Sequence, residues 1–278
     1  KYAHNKNLKW VEDESNSVDA FERNYLRNHL IPVLAHQWPD YRQRLRAVAE
    51  LSHESHELAE ATAIETIATL QPEEERAGWS LSVALFTNLT PLKQKNILRY
   101  WPEIKGLDAP GAKIINEVLT ALIDARKDSS PKVSTGDGQY CRFRDRLYLL
   151  KVSKEFDASI NQQQDVIWNT DNPIRLSDGS HLTVEQTVGD GLRAELAPAL
   201  SVTTRKGGER CKPAGRGHSN SLKKLLQEFN VEPWWRDRAP LLFIDQQLVA
   251  VADFWICDGW QAQPGEKSIK IHWHTNSL

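Results

Sequence analysis

A chain of 278 residues, 40% of them hydrophobic and 26% charged, can bury a core and hold one large domain or two smaller ones. Its 35 Lys and Arg against 37 Asp and Glu leave a formal net charge of −2, so it is not a uniformly basic chain. No apolar run approaches the roughly 18 residues that cross a bilayer, and the polar stretch Lys1–Trp10 has no apolar core of a signal peptide. The sequence starts at Lys1 and contains no Met, from which we expect a piece of a longer protein whose methionines have been replaced. Cys141, Cys211 and Cys257 are far apart and odd in number, which argues against a disulfide framework and suits a reducing cytoplasm.

In chain order, Ser15 or Asn16 is a candidate helix cap, and Asp19 a candidate cap for the next helix. Arg23 and Arg27, four residues apart, fall on one helical face with Asn24 beside them. Two guanidiniums so placed suit a phosphate or carboxylate, or else pair with Glu22 and nearby acids. Asp40–Leu70 has the spacing of a long helix ended by Pro72. Asn88–Trp101 is predicted as a second, with Thr90 as N-cap, Pro91 at the first helical position and Pro102 as its stop. Ala109–Asp124 is a third, with Ile114, Ile115, Val118, Leu119 and Leu122 on one face.

After Pro131 the period changes. Gln139–Phe143 and Arg146–Val152 are predicted strands of a hairpin turning at Arg144-Asp145. The polar stretch Ser153–Asp165 is a linker or an exposed excursion. Strand-like runs follow at Asp165–Trp168, His181–Thr187 and Ala199–Thr203. A short helix is predicted at Ser221–Phe229, then strands at Leu241–Ile244, Gln247–Ile256 and Ser268–His274, the first two around an Asp-Gln turn. The expected class is α+β, a helical middle domain followed by a small mixed α/β domain, divided near Ser153–Asn172.

Charge is segregated along the chain. From Glu50 to Glu75 there are eight acids and no Lys or Arg; from Arg205 to Lys224 there are seven cations and only Glu209 opposing them. Such a basic stretch is the footprint of a nucleic-acid partner, or a solvated loop. Gly215 and Gly217 let backbone come close to a phosphate, and Arg216, Lys223 and Lys224 can neutralise it. Cations at Lys223 and Lys224 oppose the positive end of a helix starting at Ser221, a mismatch that an anion there would relieve. Trp234 and Trp235 are candidates for stacking on a base or for the core. Arg236 and Arg238 could pair with Asp237 or Asp245 instead. His272 and His274 with Cys211 and Cys257 lack the spacing of a zinc site, and no metal ligand set is expected. His53 and His56 lie on an acidic, solvated helix, and no serine sits in a nucleophile elbow.

Two motifs carry a family resemblance. Glu12-Asp13-Glu14-Ser15-Asn16, then Phe21-Glu22-Arg23-Asn24-Tyr25-Leu26-Arg27 and Pro32, resembles a segment of tRNA(Ile)-lysidine synthetases that closes the amino-terminal domain near the catalytic cleft. Ser221–Gln227, Pro233-Trp234-Trp235-Arg236-Asp237 and Pro240-Leu241-Leu242 are similar to the same family's carboxy-terminal domain, with Trp235 where leucine is more usual. The motifs flank the chain; residues 40–200 match only in general character. The resemblance implies the tail of a catalytic domain and a connecting helix at 1–38, and a helical substrate-binding domain ending in a β-hairpin at 39–152. It further implies a linker at 153–186 and a small α/β tRNA-binding domain at 187–278. It implies cleft-proximal Asn16, Arg23, Asn24 and Arg27, with no catalytic residue assigned. It implies tRNA contacts from Arg205, Lys206, Arg210, Lys212, Arg216, Lys223, Lys224 and Arg236.

The complete enzyme would use ATP and magnesium to join free lysine to the wobble cytidine of tRNA(Ile), in the cytoplasm and without a membrane partner. The family's Ser-Gly-Gly-x-Asp-Ser phosphate loop has no counterpart here; Gly207-Gly208 lacks the Ser and Asp. The chain alone is therefore expected to bind no cofactor and to be inactive. The alternative is a stand-alone RNA-binding or scaffolding protein.

Overall fold

A computed structural model describes residues 5–6, 18–123, 131–152, 165–196 and 200–275. The chain forms two compact units, Lys1–Ala61 and Thr62–Leu278. In the first, helix α1 (Glu22–Tyr25) runs through a π-helical turn, Leu26–Leu30, into α2 (Ile31–Gln37). Asp19 does not cap α1. The N-cap is Phe21, and the Asp19 carboxylate reaches forward to accept from Asn28 at 3.2 Å and His29 at 2.6 Å. Helix α3 (Tyr41–Ala68) carries Glu50, Glu54, Glu57, Glu60 and Glu65 of the acidic stretch, and only Ala63 and Thr66 along it are buried.

The second unit is organised on a five-stranded antiparallel sheet. It comprises β1 (Glu73–Glu75), β2 (Gly78–Ser82), β3 (Lys132–Ser134), β4 (Gly138–Phe143) and β5 (Arg146–Lys151), in the order β1-β2-β5-β4-β3. The predicted hairpin is β4–β5, turning where Arg144 takes φ 55°. Strand side chains alternate between faces. Leu81, Tyr140, Leu147 and Leu149 join one core with Phe86, Leu98 and Trp101. Cys141, Tyr148 and Leu150 join the other, with Trp168, Leu182, Trp235 and Trp273. The unbroken run Leu147-Tyr148-Leu149-Leu150 is therefore the mark of a strand covered on both sides.

The first core is roofed by α4 (Val83–Thr87), α5 (Pro91–Ile104) and α6 (Ala112–Glu117), the last continuing as a π-helical stretch, Val118–Ile123. Helix α5 starts as expected, with Pro91 first and the Thr90 hydroxyl accepting from Lys93 N. Pro102 does not stop it; the helix runs on to Ile104. A proline here cannot donate to the carbonyl four residues back, and that carbonyl, on Leu98, instead accepts from the buried Tyr140 hydroxyl at 2.7 Å. The third helix starts at Ala112, three residues later than expected, after Gly111 as N-cap; Asp124 lies outside the described residues.

The second core lies among two further sheets. One orders β15 (Trp255–Ile256), β14 (Gln247–Val251), β13 (Leu241–Ile244), β10 (Leu200–Thr203) and β6 (Val166–Trp168). The other orders β7 (Ile174–Arg175), β8 (His181–Val188), β16 (Lys267–His274) and β9 (Leu192–Arg193). Residues 166–188 thus supply strands to both. Asp245 and Gln246 turn β13 into β14 with φ of 45° and 67°, the left-handed pair that a tight hairpin needs. The predicted single strand Gln247–Ile256 is broken at Ala252, φ 45°, so that β15 folds back on β14. Helix α7 (Leu222–Glu228) packs Leu222, Leu225 and Leu226 inward. Phe229, predicted within the helix, is 39% exposed just beyond its end.

Arg76 ties the first sheet to these strands. It donates to Asp253 at 2.8 and 2.9 Å and to the Trp273 carbonyl, and its guanidinium lies 4.6 Å over the Trp273 ring. Nearby, burial first and then Glu75 push the Glu232 carboxyl above its usual range.

Tyr140→Phe should leave the Leu98 carbonyl buried without a donor and lower unfolding free energy by about 1–3 kcal/mol. In a Pro102→Ala background the restored N–H competes for that carbonyl, so a denaturation double-mutant cycle should show a smaller loss. Equal losses in both backgrounds would exclude the coupling. Because folding raises the Glu232 pKa, its contribution to stability is full below the unfolded value near 4.5 and is lost as pH rises through the folded value. Glu232→Gln should raise Tm at pH 7 and make no difference near pH 4.

Candidate nucleic-acid interface

The segment with seven cations folds as a hairpin-like excursion. Strand β11 (Arg210–Cys211) pairs with β12 (Asn220–Ser221), and α7 follows directly. Glu209 shapes its entry by accepting the backbone N–H groups of Lys206 and Gly207. Far along the segment, the Ala214 N–H donates to the Ile256 carbonyl at 3.0 Å, anchoring the excursion to β15. Cys211 and Cys257, expected to be free, are joined in a disulfide with their Cα atoms 6.2 Å apart. Separation by 46 residues hides this pairing from the sequence; the sheet edge brings the two together.

Most of the predicted cations meet acids from elsewhere in the chain. Arg205 pairs with Asp237 at 2.9 Å, Lys206 with Asp165 at 3.1 Å and Lys212 with Asp258 at 2.7 Å. Glu228 takes both Arg216 and, at 3.7 Å, Lys224. The Arg216 hydrogen bond, ahead of Lys224, holds the Glu228 carboxyl below its usual range; Thr203 and then Lys206 do the same for Asp165. Arg210 donates to the Ser219 carbonyl at 3.1 Å. Lys223 is exposed and has no ion pair among the described residues.

The start of α7 is not an open anion site. The Ser221 hydroxyl accepts from Lys224 N, and Leu222 N donates to the Glu209 carbonyl at 2.8 Å. Exposed ion pairs contribute about 0–1 kcal/mol each. A phosphate can therefore take over a guanidinium or ammonium at small cost.

The aromatic candidates separate. Trp235 is 3% exposed and packs edge-on against Trp273 at 5.3 Å, while Trp234 lies partly buried against Tyr148 at 4.9 Å. Neither is a free stacking platform. Arg236 donates to the Val231 carbonyl at 2.8 Å and lies 5.7 Å over Phe143, rather than pairing with Asp237 or Asp245. Arg238 is buried, 5% exposed. A second stack was not expected. Arg216 lies 4.8 Å over Phe229, which is stacked on Trp255 at 4.6 Å. Its members come from the basic segment, the end of α7 and β15, so only tertiary contact reveals it.

In the first unit Arg23 and Arg27 are exposed, whereas Asn24 is 2% exposed and its amide donates to the Val18 carbonyl at 2.9 Å. Asn16 lies outside the described residues. No group of three or more His, Cys, Asp or Glu among the described residues is arranged to hold a metal. No helix among them is long and apolar enough to cross a membrane.

This is an α+β chain built from substrate-binding modules. Residues 81–148 match the TilS substrate binding domain, 200–273 the TilS substrate C-terminal domain, and 1–34 the PP-loop domain. The tRNA(Ile)-lysidine synthase of Coxiella burnetii is 32% identical over 96% of this chain and 58% of its own length. That of Methylococcus capsulatus is 30% identical over 98% of this chain and 61% of its own. The Serratia proteamaculans protein of the same name is 29% identical over 98% and 60%. The chain carries the TilS substrate-binding and C-terminal domains, and over its length it is similar to tRNA(Ile)-lysidine synthases. It spans about three-fifths of the length of these relatives. A crystal structure of a TilS C-terminal domain aligns with 41% of this chain and 98% of its own at 18% identity and a TM-score of 0.32, too loosely to bear on the fold.

Burial pushes the remaining thiol, Cys141, up to about 12, so at pH 8 almost none of it is thiolate. Labelling the folded, unreduced protein with iodoacetamide should modify no cysteine, and peptide mapping should recover Cys211 linked to Cys257. Reduction should then free two labelling sites, not three, and lower stability by about 2–4 kcal/mol.

Proposed function

We propose that this chain is the tRNA-gripping part of a tRNA(Ile)-lysidine synthase. The observation that carries this reading is the match to synthases of that name over 96% or more of the chain. In the complete enzyme, ATP and magnesium activate the wobble cytidine of tRNA(Ile), and free lysine is joined to it. The described residues offer neither the phosphate loop of that chemistry nor a carboxylate cluster for the metal, so no step of it is assigned to them. Their work is binding.

The contacts are proposed for Lys206, Arg210, Lys212, Arg216, Lys223 and Lys224, with Arg205 and Arg236 holding the surrounding turns through Asp237 and Val231. Side-chain cations, and not the capped start of α7, meet the phosphates. Acids already seated on these cations make the surface close to neutral until RNA displaces them. That keeps weak, sequence-independent attraction low and leaves binding to sites where several phosphates arrive together. Arg23 and Arg27, exposed in the first unit, are proposed to face the catalytic cleft. In the complete enzyme, Arg23→Ala should lower turnover while leaving Tm unchanged.

Filter binding of tRNA at increasing salt tests the reading. Affinity should fall steeply between low and moderate salt, as phosphate contacts release counterions. The double change Lys223→Glu, Lys224→Glu should weaken binding at least about tenfold, or roughly 1.4 kcal/mol, with the fold intact by circular dichroism. Glu228→Gln frees Arg216 and Lys224 from their shared carboxylate and should tighten binding. Salt-independent affinity, or no response to either set of changes, would overturn it.

A further inference from the structure

Beside the basic excursion, a cleft of about 630 Å³ opens between β15 and β16. Its wall includes Trp255, Gln261, Asp190, Lys270, His272 and Ala214. No motif or spacing in the sequence marks these residues as a binding site.

Three features define what the cleft can hold. The first is size, which is far beyond an ion or a water and sufficient for a planar ring system with its substituents. The second is charge. The two acids in the wall are already answered: Asp190 by Lys270 at 3.2 Å and Asp253 by Arg76 at 2.8 Å. With these charges compensated, the interior of the cleft suits a neutral base and leaves a phosphate to Lys270 at its mouth. The third is the indole of Trp255. It is held by Phe229, stacked at 4.6 Å with an interplanar angle of 21°, and Phe229 is in turn covered by Arg216. An aromatic wall fixed this way loses little side-chain freedom when something stacks on it. Its Nε1 is buried and has no hydrogen-bond partner among the described residues.

Ala214 belongs to the segment that carries the cations, and its N–H is bonded to Ile256 in the strand holding Trp255. A nucleic-acid strand whose phosphates lie on Lys212 and Arg216 therefore passes the mouth of the cleft. Lys270, half exposed there, can leave Asp190 for a phosphate.

We infer that this cleft takes one unpaired nucleotide of the bound RNA, its base against Trp255, its edge toward the Gln261 amide and its phosphate toward Lys270. The inference rests on the RNA-binding reading of the chain and deepens it. Duplex RNA cannot deliver a base into a cleft, so the site distinguishes single-stranded from paired segments.

The test uses the whole chain, fluorescein-labelled single-stranded RNA tetranucleotides and a blunt-ended RNA duplex, with anisotropy as the readout. Trp255→Leu should weaken tetranucleotide binding about tenfold, the scale of one lost base stack, and weaken duplex binding far less. Trp255 also supports Phe229, so Gln261→Ala and Lys270→Gln, both at the surface, serve as second variants; each should weaken the tetranucleotide severalfold. Folded variants that bind the tetranucleotide as tightly as the parent protein would overturn the cleft. Salt-sensitive binding of intact tRNA, measured on the same samples, separates the two readings. Intact tRNA binding with unaffected tetranucleotide binding removes the cleft alone. Tetranucleotide binding that depends on Trp255 without tRNA binding removes the tRNA reading alone. Absence of both removes both.

Discussion

Burial of the first sheet on both faces is the constraint from which the second unit is built. In β5, Leu147 and Leu149 enter the core under α5 and α6, while Tyr148 and Leu150 enter the core formed with the two carboxy-terminal sheets. Neither face can be left to water without exposing a row of large apolar side chains, each contributing about 1.5–3 kcal/mol by its burial. The helical roof and the later strands therefore stabilise one another through a shared wall. Arg76 adds direction to that packing. Its guanidinium is divided between Asp253 and the Trp273 carbonyl and lies over the Trp273 ring, which fixes the turn between β14 and β15 against the first sheet.

That turn is where fold and proposed function meet. Because the chain reverses at Ala252–Phe254, β15 lies at the edge of its sheet and presents Trp255 and Ile256 to the basic excursion. The disulfide between Cys211 and Cys257 and the Lys212–Asp258 pair fasten the same edge. The cations are consequently carried on backbone held at several points.

Electrostatic reading of a segment and of a surface differ here for a simple reason. Along the chain, the stretch from Arg205 to Lys224 holds seven cations and one acid. In space it also gathers Asp165, Asp237, Asp258 and Glu228. Coulomb interaction at 3–4 Å depends on where charges fold, not on how far apart they lie in the chain. The surface is therefore mostly one of ion pairs.

By itself the sequence determined what depends on nearest neighbours. The helix starting at Thr90-Pro91, the hairpin at Arg144-Asp145, the turn at Asp245-Gln246 and the inward stripe Leu222, Leu225, Leu226 all follow from local backbone chemistry or from a period of two or 3.6, and the two flanking motifs carried the family. Tertiary structure decided the rest, because the partners are remote. Pro102 stays inside its helix because Tyr140, from another element, accepts the duty of the missing N–H. The short strands β1, β2 and β3 exist only as additions to the β4–β5 hairpin, too brief to show a period of their own. Trp235 went to the core and Trp255 to a cleft wall, a division set by which sheet face each met and invisible in residue type alone.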